Sequence, residues 1–273
     1  MVTSTSTNPI TLPVDVVIRS VRALARAARF DEARALAESG ADPRLAVVLA
    51  ELAVDARYVT GEGDGVEDAL EAAGAAVSSG VVGDAGSAWD VEFLRVRESY
   101  ARELFAPGTE LGSPAGRDPG DVDALRDRTV GVRDGAPDLR RRGWAEFYLG
   151  VIHDNLYGAR DVAPSHLHAA LDAARAAGDD YLAFEALRHL GDHARDDGDA
   201  ATAREMWESS AWHAARAGGV TQVLAQLMVL ALLARDRGDE SGAVLLAAEV
   251  ARWAQAIGAV RLAEEAAAMS SPS

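Results

Sequence analysis

The residues of this chain most able to do chemistry are its six histidines, all of which lie between His153 and His213. Glu185, His189 and His193 follow one another at intervals of four residues on one predicted helix. Two imidazoles and a carboxylate form the ligand set of many zinc and non-haem iron sites. A row at this spacing drifts by about 40° per step, however, and so turns from a groove towards the packing between helices. Two interpretations stay open, of which packed interface histidines are favoured over a metal site.

Other kinds of reaction centre are excluded by residue types that the chain lacks. All 27 basic residues are arginine, and the sequence contains neither lysine nor cysteine. There is therefore no lysine for a phosphate-binding loop or a Schiff base, and no thiol nucleophile or cysteine-ligated zinc. The serine motifs G-x-S-x-G and S-x-x-K are missing as well. We expect no catalytic residue, no cofactor and no metal.

The charge of the chain indicates which partners are disfavoured. The formal net charge of −16 is spread along the sequence, without a basic arm. Nucleic acids and anionic membranes attract basic surfaces, so we expect neither as a partner. The first residues lack the basic segment of a signal peptide, and the most apolar segment, 223–234, is too short to span a bilayer. The sequence therefore predicts a cytoplasmic protein.

Glycines at a constant interval predict helices of similar length separated by turns, and these helices carry the histidines. Six glycines recur every twenty residues from Gly158 to Gly258. A helix of about sixteen residues and a turn of about four fill one interval, so two intervals make a helix hairpin. Residues 181–220 and 221–260 are identical at twelve of forty positions. The sequence predicts an all-α fold, a right-handed solenoid of five or six antiparallel helix hairpins.

The repeated segment resembles the tetratricopeptide repeats, in the loose and longer form common in bacterial proteins. The family pattern reads here as Leu187, Leu190-Gly191, Ala194, Ala203 and Trp207, with Gly198-Asp199 at the turn between the two helices. The period of forty residues exceeds the family's period of about thirty-four, and the second aromatic and the closing proline are missing. The resemblance covers residues 143–260.

This resemblance implies that the first helix of each hairpin lines a concave groove that binds a peptide or protein segment. Arg188 and Arg195 would be the anchors, because a planar guanidinium can bind a carboxylate or a carbonyl with two hydrogen bonds. The alternative is a solvated face, since the same charges can pair within their own helix. The predicted groove residues are Tyr148, Ile152, Glu185, Arg188, Asp192, Arg195, Asp196, Met228, Leu232 and Arg235.

The chain divides into five predicted segments. They are a disordered N-terminus (1–13), helical hairpins (14–105), a loop rich in glycine and proline (106–120), the repeats (121–260), and a capping helix with a tail (261–273). The loop is either a disordered surface segment or a flap over the groove. The segment 223–234 is apolar on nearly every side, so we expect the C-terminal helix or a second subunit of a homodimer to cover it.

Two classes of function follow from the sequence. The favoured class is a non-enzymatic scaffold or adaptor that binds a protein or peptide partner in its groove. The alternative is an α-helical enzyme, or a sensor of a small molecule or metal, built around His153, His189 and His193. Metal analysis of the purified protein would separate the two.

Overall fold

The computed structural model describes residues 12–61, 63–80, 82 and 85–270, and within these ranges every regular element is an α-helix. Consecutive helices pair as antiparallel hairpins that stack into a solenoid, which confirms the predicted fold class. The predicted disorder of residues 1–13 falls outside the described residues, apart from Leu12 and Pro13. The helices are α1 (Val14–Arg26), α2 (Phe30–Glu38), α3 (Arg44–Thr60), α4 (Val66–Ser78), α5 (Ala85–Leu104), α6 (Pro119–Asp134), α7 (Leu139–Asn155), α8 (Ala163–Ala177), α9 (Asp180–Asp196), α10 (Ala200–Ala217), α11 (Val220–Asp236), α12 (Glu240–Ala256) and α13 (Val260–Ser270).

The turns inside the repeats follow from the glycine and aspartate that recur there. Gly198 and Gly238 have φ angles of 85° and 83°, in the left-handed region that glycine enters without a steric cost. Asp199 and Asp239 come next, and each side chain accepts a hydrogen bond from the backbone N–H three residues further on. Each turn therefore ends one helix and begins the next within a few residues, which forces the two helices to lie antiparallel.

The loop between α5 and α6 packs against the rest of the protein. Helix α6 begins at Pro119, within the predicted loop 106–120, because the side chain of Asp118 caps its first turn. Arg117 is buried, and its Nη1 donates hydrogen bonds to two backbone carbonyl groups of the loop. The N–H of Gly112 donates to the carbonyl of Asn155, at 2.9 Å. The loop is thereby fixed against the C-terminal end of α7.

The N-terminal and C-terminal parts of the solenoid contact each other. Helix α3 packs against α13, and Val59 of α3 joins an apolar cluster shared by α11, α12 and α13. Nη1 of Arg26 donates to the carbonyl oxygen of Ala217 at 3.3 Å, across 191 residues of sequence. The guanidinium of Arg261 lies over the ring of Phe105, 4.7 Å from its centre. These contacts draw the two ends together around the face formed by the first helix of each hairpin.

The apolar segment 223–234 of α11 packs mainly against α10 and α12, and it shares two apolar clusters with the C-terminal helix α13. Leu224 shares an apolar cluster with Ala266 of α13. Met228 packs in a second cluster with Met269, also of α13. Leu232 keeps 38% of its surface exposed. Helix α13 therefore covers part of this segment, and a second subunit stays a prediction of the sequence.

Candidate functional site

A cavity of about 780 Å³ opens between the first helices of successive hairpins. Its walls come mainly from α1, α3, α5, α7 and α9, while the first residues of α11 and the loop residues Leu111 and Gly112 complete the lining. The volume falls within the range of about 300–1,000 Å³ that is usual for ligand pockets. Nine aromatic side chains line the cavity, more than half of all the aromatic residues in the chain.

The aromatic rings of the cavity pack on one another across α5 and α7. Phe93 stacks on Trp89 with ring centres 4.8 Å apart, and its edge meets Tyr148 at 5.3 Å. Tyr148 makes a second perpendicular contact with Tyr100, at 5.5 Å. Perpendicular and offset pairs are the preferred arrangements of aromatic rings. This part of the cavity is therefore a packed apolar surface with tyrosine hydroxyls at its edges.

Arg97 joins three helices at the centre of the cavity. Its Nε donates to the hydroxyl of Tyr148 at 3.1 Å, and its Nη2 donates to Oδ1 of Asp55 at 2.6 Å. The hydroxyl of Tyr58 donates to the backbone carbonyl of Arg97 at 2.9 Å. Burial raises the pKa of Tyr58 well above its usual range, so this hydroxyl stays protonated and acts as a donor. The charge of Arg97 is thus neutralised by Asp55 at short range.

The other arginines around the cavity also have partners. Four of them form short ion pairs with carboxylates on other helices or turns. The pairs are Arg22 with Glu51 at 2.8 Å, Arg140 with Asp179 at 2.7 Å, Arg141 with Asp90 at 2.7 Å, and Arg160 with Asp196 at 2.9 Å. Arg26 donates to a backbone carbonyl and lies over the ring of Tyr181. A ligand that needs a free guanidinium would have to displace one of these partners.

The wall formed by α7 and α9 differs, because two carboxylates share one arginine there at long distances. The guanidinium of Arg188 lies 3.5 Å from Oε2 of Glu185 and 3.8 Å from Oδ2 of Asp192, which are long distances for ion pairs. Burial raises the pKa of both Glu185 and Asp192. Arg188 is not their sole partner, because the charge of Arg97 also acts on Glu185 and the indole N–H of Trp207 donates to Oδ1 of Asp192 at 3.1 Å.

The three histidines of the alternative hypothesis have different surroundings. His153 stacks parallel to His166 with ring centres 5.5 Å apart, and its pKa is lowered by burial and then by that neighbour. Nη2 of Arg188 donates to Nε2 of His189 at 2.7 Å, and burial followed by the Arg188 charge lowers the pKa of His189. His193 faces Asp154. Among the described residues, no group of three or more His, Asp or Glu side chains could hold a metal ion.

Half of the predicted groove residues line the cavity: Tyr148, Glu185, Arg188, Asp192 and Asp196. The others lie elsewhere. Ile152 is fully buried in the core, and Arg195 pairs with Asp236 at 3.1 Å. Arg235 pairs with Glu240 and donates to the carbonyl of Met269. Met228 packs in a cluster that includes Met269 of α13, and Leu232 lies outside the cavity with 38% of its surface exposed.

The wall on the N-terminal side was not predicted from the sequence. Asp55, Tyr58 and Arg97 lie in hairpins where the repeat pattern is too weak to align, so no groove position was assigned to them. One signal was available. In the sequence, Arg97 borders Phe93, Val96 and Tyr100, which are spaced three and four residues apart as on one face of a helix. A charged residue beside aromatic residues at helical spacing therefore indicates a groove position.

Comparisons with known proteins bear on the fold. No protein-family model and no curated protein matches the chain. Among solved structures, the chain is similar to a Rap protein complexed with competence and sporulation factor, with 14% sequence identity and a TM-score of 0.54. The match covers 93% of this chain and 79% of that chain. The chain has a tetratricopeptide-like helical-repeat fold. No helix among the described residues is long and apolar enough to cross a membrane.

Proposed function

We propose that the protein is a non-enzymatic scaffold or adaptor that binds a peptide, or an extended segment of a protein, in the cavity described above. The observation that carries the proposal is the cavity itself, which combines nine aromatic side chains with charged and amide groups on five helices. Aromatic rings supply contact area at a low cost in conformational entropy, and the polar groups fix the orientation of a ligand. The lining therefore suits a ligand with both apolar and polar parts.

The ion pairs of the lining support a binding site that is formed before the ligand arrives. Arg97 and Arg141 are held by short bonds to carboxylates on other helices, so they fix the walls relative to one another. A wall that is fixed before the ligand arrives loses less entropy on binding. The similarity in fold to a Rap protein complexed with competence and sporulation factor agrees with this proposal, because that solenoid also has a bound partner.

No contact favours the enzyme or metal sensor built on the histidines, since His153, His189 and His193 are each engaged by a different neighbour. The cytoplasmic location, the homodimer and the lack of nucleic-acid and membrane partners stay predictions of the sequence.

A pool of random hexapeptides tests the proposal. The pool is passed over the immobilised full-length chain, and retained peptides are identified by mass spectrometry. We expect retention of a restricted subset. Leu111→Trp places a bulky ring at an exposed edge of the cavity and should abolish that retention. Leu245→Trp makes the same change at an exposed position of α12 outside the cavity and should preserve it. Failure of the wild type to enrich any peptide, or equal retention by both variants, would contradict a peptide site in the cavity.

A further inference from the structure

The arginines that line the cavity are not all paired to the same degree. Six of the seven form an ion pair with an aspartate or a glutamate. Arg26, in the last turn of α1, has no carboxylate partner within the part of the chain that the structure describes. It makes one hydrogen bond to the described residues, from Nη1 to the backbone carbonyl of Ala217 at 3.3 Å, which is long for such a bond. Because a guanidinium has five N–H donors, Arg26 is the cation of the lining that the protein satisfies least.

A second donor, the hydroxyl of Tyr181, lies beside this guanidinium. The guanidinium carbon of Arg26 is 5.7 Å from the centre of the Tyr181 ring. Nε2 of Gln222 donates to the Tyr181 oxygen at 2.8 Å, so the hydroxyl's own proton is left to donate elsewhere. No described residue accepts that proton. Burial, followed by the charge of Glu185, raises the pKa of Tyr181, so the hydroxyl keeps its proton and remains a donor.

The two donors are both held in place and open to the cavity. The hydroxyl of Thr221 donates to Oε1 of Gln222 at 2.9 Å, which orients the amide so that its Nε2 faces Tyr181. Arg26, Tyr181, Thr221 and Gln222 all line the cavity, and each is partly exposed. A ligand in the cavity can therefore reach both donors without a rearrangement of the wall.

The electrostatics of the lining allow an anion at this position. The chain carries a formal charge of −16, but the lining itself has seven arginines and seven aspartate or glutamate residues. Two acids whose charges act on Tyr181, Glu185 and Asp55, each have an arginine partner. At the other arginines an incoming carboxylate would have to displace a carboxylate of the protein. At Arg26 it would displace only one long bond to a neutral carbonyl.

We propose that Arg26 and Tyr181 bind a carboxylate of the ligand, which is either the C-terminal carboxylate of a peptide or the side chain of an aspartate or glutamate. The guanidinium would hold the carboxylate through charge-assisted hydrogen bonds, and the tyrosine hydroxyl would donate to it as well. This inference rests on the proposed function, because it places one charged group of a peptide bound in the cavity. It also replaces the anchors expected from the sequence, since Arg188 and Arg195 pair with acids of α9 and α11.

Four pools of N-acetylated hexapeptides with random apolar and aromatic flanking residues test the inference. The first has a central glutamine and a free C-terminal carboxylate, and the second is identical but ends in an amide, so that it is neutral. The third ends in an amide and has a central glutamate. The fourth ends in an amide and has a central arginine. We expect the free-carboxylate pool, the glutamate pool or both to bind the full-length protein at least about tenfold more tightly than the neutral pool. The pool that gains identifies the source of the carboxylate, and the arginine pool should bind no more tightly than the neutral pool.

Three variants connect this preference to the two donors. Arg26→Gln removes the cation and should lower the affinity for the preferred pool about tenfold, to that of the neutral pool. Tyr181→Phe removes only the hydroxyl and should lower the same affinity about three- to tenfold. Arg19→Gln makes the same change of charge at an exposed position of α1 outside the cavity and should leave the preference unchanged. Circular dichroism checks that each variant is folded.

The possible outcomes separate this inference from the proposed function. Retention of no pool by the wild type would overturn both. Equal retention of all four pools, or a preference for the arginine pool, would leave peptide binding in place and overturn the carboxylate subsite. A folded Arg26→Gln variant that keeps the preference would also overturn it. Equal weakening of all pools by that variant would do the same, because Arg26 would then act only through its contact with Ala217. So would an equal loss of the preference in Arg19→Gln, because the effect would then come from net charge.

Discussion

The two best-matched repeats of the chain, α9 with α10 and α11 with α12, are packed by different pairs of side chains. In the first repeat the ring of Trp207 fills the space above Gly191, where any Cβ atom would clash with the indole. At the equivalent positions of the second repeat, Ala231 and Ala247 are both fully buried. The two repeats thus form the same hairpin with different residues at these positions. The first packs tryptophan against glycine, and the second packs alanine against alanine.

The same two repeats also differ in what their first helices face. Arg188 lines the cavity, whereas Met228 at the equivalent position packs in the cluster that includes Met269 of α13. Trp207 connects packing to the site, because its indole N–H donates to Oδ1 of Asp192 at 3.1 Å. Equivalent positions of the two repeats therefore do not both line the cavity. Contacts between the distant ends of the solenoid decide which of them does.

Trp207→Ala should have the largest effect on stability. The side chain is 1% exposed, and loss of a buried tryptophan typically costs about 3–5 kcal/mol. Trp253→Ala is the control, because that ring is 46% exposed on α12 and should cost much less. Urea unfolding of both variants measures the difference. Similar losses from the two substitutions would mean that Trp207 does not hold the first repeat together.

Gly191→Ala should destabilise the protein by about 1–3 kcal/mol, because the new methyl group must displace the Trp207 ring. Gly131→Ala in α6 provides a matched control. No atom lies near its new methyl group, so it should stabilise the helix by about 0.5–1 kcal/mol. Opposite shifts of the unfolding midpoint are therefore expected. A stabilising shift from Gly191→Ala as well would show that α9 can accept alanine here, as α11 does.

Gln226→Met should stabilise the second repeat by about 1 kcal/mol or more, because it removes a buried amide that has no hydrogen-bond partner. Gln226 is fully buried in α11, where α9 has the apolar Ala186. Methionine has a similar length and fits irregular spaces in cores. Thermal unfolding checks the prediction, and a lower melting temperature would mean that the amide makes a contribution that its contacts do not reveal.

The pH dependence of stability should differ between the wild type and the variant Glu185→Gln/Asp192→Asn. Both carboxyl groups have a raised pKa in the folded state, mainly because of burial. The folded state then binds more protons than the unfolded state between the two pKa values, so these groups lower stability as pH rises through that window. The penalty is absent below the unfolded pKa and complete above the folded pKa. The groups around the pair are Arg97, Asp154, Tyr181, Arg188, Asp196 and Trp207.

Urea unfolding at several pH values measures this smaller effect as the difference between the two proteins. The variant should gain relative to the wild type as the pH is raised from acid to neutral. Parallel curves would indicate that Glu185 and Asp192 are solvated by the cavity and carry no burial penalty.

The fold was predictable because glycine and aspartate act locally. Gly198 and Asp199 end one helix and begin another without help from distant residues, and the interval between such turns indicates hairpins. Part of the cavity was predictable for the same reason, since Glu185 and Arg188 lie one turn apart on α9. The exclusion of Met228 was not predictable, because it depends on where α13 packs. Neither was the partnership of Asp55 with Arg97, which joins two hairpins of weak repeat pattern.

The central claim is that ligands bind along α5, α7 and α9 and not along α11. Photo-crosslinking tests it most directly. The pool peptide that binds most tightly is resynthesised with a photoreactive phenylalanine, irradiated with the full-length protein, and its attachment sites are mapped by mass spectrometry. We expect attachment to cavity residues such as Phe93, Tyr148 and Tyr181. Attachment concentrated at Leu232 or Arg235, or on the exposed rings of Trp212 and Trp253, would contradict the account, because those residues lie outside the cavity.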